Sequence, residues 1–224
     1  MKISILTLFP EMFQGPFDHS IIKIAREKKL LDISYINIRD FGIGRHRIVD
    51  DKPYGGGAGM IMRVDVIASA LAKIKEKKRI ILLDPQGEKF TQKKAQELSK
   101  IDHLILVCGR YEGVDERVRS LADEEISIGD YVLTGGEIPA MVIVDSVSRL
   151  IPGVIQQEST LHESFSTPML EYPQYTRPPV FKKSAVPDIL LSGDHQKIID
   201  WRKKEAFEKT KKKRSDLLLG LKRG

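Results

Sequence analysis

Arg79 to Arg117 reads "RIILLDPQGEKFTQKKAQELSKIDHLILVCGRYEGVDER". Two uncharged apolar runs, "IILL" and "LILVC", each end in a glycine-bearing turn: Asp84-Pro85-Gln86-Gly87 and Gly109-Arg110-Tyr111-Glu112-Gly113. Between them, "TQKKAQELS" has helical spacing. The stretch reads as strand, helix, strand, the unit from which parallel sheets are built. The same alternation extends in both directions. "ISILTLF" precedes "SIIKIAREKK", "DISYINI" precedes a polar Gly-rich stretch, and "VDVIASALAKIKEK" leads into "RIILLD". "VDERVRSLA", read as a helix, precedes "EISIGDYVL", read as a strand, and "PAMVIVDSVSRLI" closes the series as a helix. The pattern predicts an α/β domain with a mainly parallel sheet over residues 1–153. Residues 154–166, "VIQQESTLHESFS", show no period and read as an exposed linker. Residues 167–224 form a small, mainly helical C-terminal domain. It opens on "YPQYTRPPV", held extended by proline, and continues into "SGDHQKIIDWRKKEAFEKT", a helix capped by Ser192 or Asp194.

Composition narrows the class. With 224 residues, 41% hydrophobic and 30% charged, the chain supports one sizeable core and a small second unit. The opening "MKISILTLFP" is too short for a secretory core, and no run approaches a membrane-spanning length. A cytoplasmic protein with no membrane partner is expected. The single cysteine, Cys108, excludes an intrachain disulfide and reads as a small core residue. From Asp194 to Gly224, eleven Lys/Arg face five acids, leaving +6, which equals the charge of the whole chain. All the excess positive charge therefore sits in the C-terminal segment, where a polyanion would dock. The same charges, interspersed with acids at helical spacing, also suit a solvated helix face.

Ligands of open α/β sheets bind beyond the carboxyl ends of strands. Three glycine-bearing segments occupy such positions: 84–87, 109–117 and 134–136. The last ends "SIGDYVLTGG" (127–136), whose scarcity of polar side chains leaves main-chain groups to read a ligand. No phosphate-loop motif exists, and Gly42-Ile-Gly44 lacks the third glycine of a dinucleotide fingerprint. Gly55-Gly56-Gly57-Ala58-Gly59 reads as a mobile loop; beside His46, Arg47, Asp50, Asp51 and Tyr54 it suits closure over a large polar ligand.

Eight ordered segments, "VDDKPYGGGAGM", "DPQG", "CGRYEGVDER", "SIGDYVLTGGE", "DSVSRLIPGV", "ESF", "LEYPQYTRP" and "VPDILLSGDHQKIIDWR", resemble the successive signatures of the bacterial tRNA (guanine-N1)-methyltransferase family. The resemblance implies an enzyme that carries methyl from S-adenosyl-L-methionine to N1 of the tRNA guanine at position 37, just 3′ of the anticodon. It implies a SPOUT-type fold with a deep trefoil knot and an obligate homodimer, whereas periodicity alone predicts an unknotted sheet. It places the cofactor on Leu82, Pro85, Gln86, Gly109, Tyr111, Glu112 and Gly113, with Ser127, Ile128, Gly129, Asp130, Tyr131, Val132, Leu133, Gly135 and Gly136 forming the knotted wall. A Cβ at Gly135 would then intrude on ligand space. tRNA contacts fall on Asp50, Asp51, Tyr54, Gly55, Gly57, His195 and Arg202. Mg²⁺ is implied as an assistant, although no ligand cluster in the sequence identifies a site.

Guanine N1 is protonated at neutral pH, so methylation needs a base for that proton and a cation for charge on O6. The resemblance assigns Glu163 as base and Arg149 as cation. The family more often has Asp at the first position, and the linker from Arg149 is one residue shorter here. Asp84 and Ser215 stand where the family often has Ser and Pro. Two rivals remain at this stage. One is a non-catalytic RNA-binding protein of the same fold, marked by cofactor binding without turnover. The other is a nucleotide- or phosphate-handling enzyme built on Gly55–Gly59, marked by stabilisation with ATP and none with adenosylmethionine.

Overall fold

The structure, a computed structural model, describes residues 1–76, 78–156 and 163–219. The chain divides into two compact units, Met1–Ile155 and Gln156–Gly224. Residues 157–162 of the predicted linker lie outside the described residues, as do residues 220–224 of the predicted C-terminal domain.

In the first unit, β1 (Lys2–Thr7), β2 (Asp32–Asn37), β5 (Arg79–Lys89), β6 (His103–Cys108) and β7 (Glu124–Ser127) form one sheet in the order β2-β1-β6-β5-β7. Every pairing is parallel. β3 (Asp50–Asp51) and β4 (Ile61–Met62) form a separate antiparallel ladder. Helices α1 (Ser20–Glu27), α2 (Val64–Ala72), α3 (Gln92–Leu98) and α4 (Glu137–Ser148) complete the unit.

The uninterrupted apolar runs follow from burial on both faces. Along β6 all six residues are buried. Leu104, Leu106 and Cys108 join one core with residues of α1, α3 and α4, while Ile105 and Val107 join another with residues of α2. On β5, Ile81 and Leu83 belong to the first core and Leu82 to the second.

Two expectations are corrected. The strand read through Leu133 stops at Ser127. Among the described residues its only partner is β5, which leaves the ladder after Leu83, loops out and rejoins at Glu88 and Lys89 opposite Ile126 and Ser127. Beyond Ser127 no partner strand continues among the described residues, Gly129 takes φ +155°, and residues 128–136 run as a loop. "VDERVRSLA" forms a 3₁₀ turn, Glu116–Leu121, capped by Asp115, whose carboxylate accepts from Arg117 N at 3.0 Å. Ala122 is already extended to feed β7.

The second unit contains a hairpin, β8 (Val180–Phe181) and β9 (Ser184–Ala185), then α5 (His195–Lys213) and α6 (Asp216–Leu219). Asp194 is the α5 cap, accepting from Lys197 N at 3.2 Å. Lys211, Lys212 and Lys213 in the last turn complement the helix dipole. Buried Thr210 accepts from Leu170 N at 2.8 Å, pinning an otherwise irregular segment to α5. Among the described residues no helix is long and apolar enough to cross a membrane.

At the opposite end of the sheet from the glycine turns, His103 is buried, with Nε2 2.9 Å from Ser4 Oγ and Nδ1 3.0 Å from Glu76 Oε2. Burial, aided by Lys2 and Lys78 and opposed by Glu76, lowers its pKa below 6.5. The unfolded chain therefore takes up this proton more readily than the folded one. Stability from the neutral ring is complete above about pH 6.5 and is lost as pH falls below it. His103→Asn should flatten the decline in thermal midpoint between pH 7.5 and pH 5; an unchanged decline would show that other groups cause it.

Candidate active site

The carboxyl ends of β5, β6 and β7 enclose a cleft of about 250 Å³. All the residues assigned to the cofactor line it except Leu82 and Asp130. Leu82 is fully buried in the second core, and Asp130 is 84% exposed, paired with Lys89 at 2.8 Å. The cleft also takes in Leu83, Asp84, Arg110, Ile126, Thr134 and Pro139. Its walls thus combine glycine backbone and apolar side chains such as Pro85, Ile128, Val132 and Leu133 with a few polar groups, among them Asp84, Gln86 and Glu112, a mix that suits a flat heteroaromatic ligand with a polar edge.

Close backbone approach explains two glycines. A Cβ on Gly136 would stand 2.6 Å from Cys108 Cα and 3.0 Å from Gly109 N, because Gly136 N–H donates to the Gly109 carbonyl at 2.9 Å. A Cβ on Gly87 would stand 2.4 Å from Ile126 N, where β5 returns to β7. Gly135 differs from expectation. Its Cβ would meet Arg110 Nε at 2.3 Å and Glu137 Oε2 at 2.7 Å, so a larger residue there collides with an ion pair.

That pair was not singled out from the sequence. Glu137 is wholly buried; it accepts from Thr7 Oγ1 at 2.7 Å and from Arg110 Nε at 2.8 Å. Arg110 also lies over the Phe9 ring at 4.6 Å and donates to the Thr134 carbonyl at 3.3 Å. The sequence signal was an acid opening an apolar helix, which reads equally well as a dipole-complementing first-turn residue. A second hub is Arg119, which binds Asp84 at 3.3 Å, Glu116 at 2.9 Å and Glu125. It ties the Asp84 turn to the start of β7. Cys108 is fully buried, and burial raises its thiol well above the usual range, in keeping with a core role.

The Gly-rich loop adjoins the cleft. Gly55, Gly56, Gly57 and Gly59 all have φ between +81° and +126°, a region that side chains disfavour. The loop is therefore a specified shape, whatever its mobility. Glu112 N–H donates to the Met60 carbonyl at 3.0 Å, and a Cβ on Gly59 would strike Glu112. Asp50 and Asp51 sit on β3, Asp51 pairs with Arg63 at 3.0 Å, and Tyr54 is fully exposed.

Arg149 caps the C-terminus of α4 and is half-buried. Glu163 belongs to the second unit, where its carbonyl accepts from Ser166 N at 3.1 Å and Ser166 Oγ at 2.7 Å. It lines a pocket of about 260 Å³ with Met169, Leu170, Tyr172, Ile199 and Arg202. His195 is the exposed first residue of α5, and Arg202 lies over the Tyr172 ring at 4.8 Å. Among the described residues no group of three or more His, Cys, Asp or Glu is placed to hold a metal ion.

A parallel α/β sheet with a glycine-walled cleft beyond its strand ends defines a ligand-binding protein of the class that holds nucleotide-like cofactors. The family described as tRNA (Guanine-1)-methyltransferase TrmD matches residues 1–220. A relative from Dictyoglomus turgidum, named tRNA (guanine-N(1)-)-methyltransferase, is 60% identical over 97% of this chain and 90% of its own length. Relatives of the same name from Carboxydothermus hydrogenoformans and Geobacillus kaustophilus are 60% and 57% identical, each over 97% of this chain and 87% and 91% of their own lengths. The chain belongs to the tRNA (guanine-N1)-methyltransferase family, whose chemistry implies S-adenosyl-L-methionine as methyl donor.

Proposed function

We propose that this protein methylates N1 of the tRNA guanine at position 37, just 3′ of the anticodon, with the donor seated in the cleft at the ends of β5, β6 and β7. The observation that carries the reading is the cleft itself: it lies beyond the ends of three neighbouring parallel strands and is lined by Gly109, Gly113, Gly135 and Gly136 beside Pro85, Ile128, Val132 and Leu133. When bound, adenosylmethionine supplies an electrophilic methyl group. The chain must do the rest. Glu163 takes the N1 proton, Arg149 stabilises negative charge developing on guanine O6, and main-chain groups of 109–113 and 128–136 orient the donor. No step is routed through Mg²⁺.

The departure of β5 after Leu83, its return at Glu88 and the bridge between Arg110 and Gly135 support a trefoil knot around the donor. Exposed Met12, Val132, Ile138 and Val142 support a homodimer, since α4 is apolar on more sides than its own unit covers. The basic α5, within a C-terminal domain beginning near residue 167, supports tRNA docking in the cytoplasm, with residues 1–153 as the cofactor domain and 154–166 as linker. The test is reverse transcription of tRNA incubated with protein and methyl donor. N1-methylguanine blocks the pairing edge, so extension should stop one base short of guanine 37; uninterrupted extension refutes the assignment.

Arg119→Gln should weaken adenosylhomocysteine binding about tenfold, the ~1.5 kcal/mol of a hydrogen bond to a charged group, by freeing the Asp84 turn. Equal affinity by isothermal titration would remove Arg119 from the machinery that positions the cleft.

A further inference from the structure

The charge of the cleft is unbalanced in a way that the proposed chemistry leaves unexplained. Among the described residues lining it, the charged ones are Asp84, Arg110 and Glu112. The charge of Arg110 is matched by buried Glu137, 2.8 Å away. Asp84 accepts from Gln86 N at 2.9 Å and from Arg119 at 3.3 Å, and its side chain is only 11% exposed, so solvent screens it weakly. Arg119 does not cancel its charge, because the same guanidinium also serves Glu116 at 2.9 Å and Glu125. Three carboxylates against one guanidinium leave this network two negative charges in excess. Glu112 adds another negative charge to the cleft wall. Such a cleft binds a cation better than a neutral molecule of the same shape. Adenosylmethionine and adenosylhomocysteine differ in that respect. When the methyl group leaves, the C–S bonding pair stays on sulfur, and a sulfonium becomes a neutral thioether. Apolar walls and main-chain groups serve both molecules alike and do not discriminate between them.

We infer that Asp84, only partly neutralised by Arg119, is a specificity-determining residue that makes the cleft prefer the charged donor over its neutral product. The inference rests on the donor-binding reading proposed above. The negative charge favours exchange of spent product for fresh donor after each turnover, and Arg119 sets its strength by dividing one positive charge among three carboxylates.

The test is isothermal titration of the full chain with three ligands of closely similar shape. They are adenosylmethionine, adenosylhomocysteine and sinefungin, in which an amine-bearing carbon replaces the methylsulfonium and keeps a positive charge. At low ionic strength the parent should bind the two cationic ligands about threefold to tenfold tighter than adenosylhomocysteine, as one charge felt across a partly solvated cleft allows. Asp84→Asn keeps an acceptor oxygen for Gln86 N and removes the charge, so this ratio should fall toward one. Arg119→Gln should widen it, because the three carboxylates then lack their shared cation. Either substitution loosens the 84–87 turn, but a looser turn weakens all three ligands together and leaves the ratio unchanged. A purely structural Asp84 therefore gives the same ratio in the parent and in Asp84→Asn, and that result overturns the inference, as does a narrowed ratio in Arg119→Gln. Equal affinity of the parent for all three ligands sinks the charge discrimination alone. A parent that binds none of them sinks the donor-binding reading and this inference with it.

Discussion

Glu163→Gln is expected to lower the single-turnover rate of methyl transfer about 10²- to 10⁴-fold, the range for loss of a general base, while tRNA and donor binding persist. Gln keeps the shape and one acceptor oxygen but cannot take the N1 proton. Glu163 sits among Met169, Leu170 and Tyr172, a setting that suits a base meeting the edge of a flat heterocycle. Glu163→Asp should fall between Gln and the parent: it retains the carboxylate but shortens its reach on a linker that is itself short. Rates at saturating tRNA and donor separate chemistry from binding. A Gln variant reacting at the parental single-turnover rate excludes Glu163 as the base.

Glu137→Gln should produce the largest loss of stability, about 3 kcal/mol, toward the lower end of the range for breaking a buried ion pair because Arg110 keeps some solvent contact. The Glu137 side chain is 1% exposed and that of Arg110 16%. The substitution leaves Arg110 without its counter-charge beside Thr134 and Gly135, so the cleft loop loosens as well. Denaturant unfolding should show a lower midpoint, and adenosylhomocysteine should stabilise the variant less than the parent. A stability change below about 1 kcal/mol would show that the pair is dispensable. Gly135→Val should resemble Glu137→Gln, because its Cβ meets this same pair.

Much of the first unit was legible locally. Runs such as "HLILVC" announce strands buried on both faces, and glycine at the strand ends marks where backbone must approach a ligand or another strand. The positions assigned to the cofactor, Leu82 and Asp130 apart, converge on one cleft because they follow three neighbouring strands of one sheet. Legibility failed at Ser127, where "SIGDYVL" keeps strand-like alternation with no neighbour to pair with. Strand formation depends on a partner that the local pattern does not contain. At the glycine loop composition suggests mobility, and the structure adds a defined path: four positive φ values and the close approach of Gly59 to Glu112.

By itself, the sequence determined the parallel α/β class, the strand-end location of the cleft, the basic C-terminal helix with its Asp194 cap, and, through its ordered motifs, the family. These depend on periodicity, turn chemistry and charge, which neighbouring residues express directly. Tertiary structure alone decided that Glu137 is a buried anion held by Thr7 and Arg110, partners 130 and 27 residues away. It alone showed Arg119 joining Asp84 to Glu125, and Tyr172 and Arg202 serving two pockets at once. The physical reason is common to all three: a charge or ring takes its role from what surrounds it after burial, and those surroundings come from distant parts of the chain.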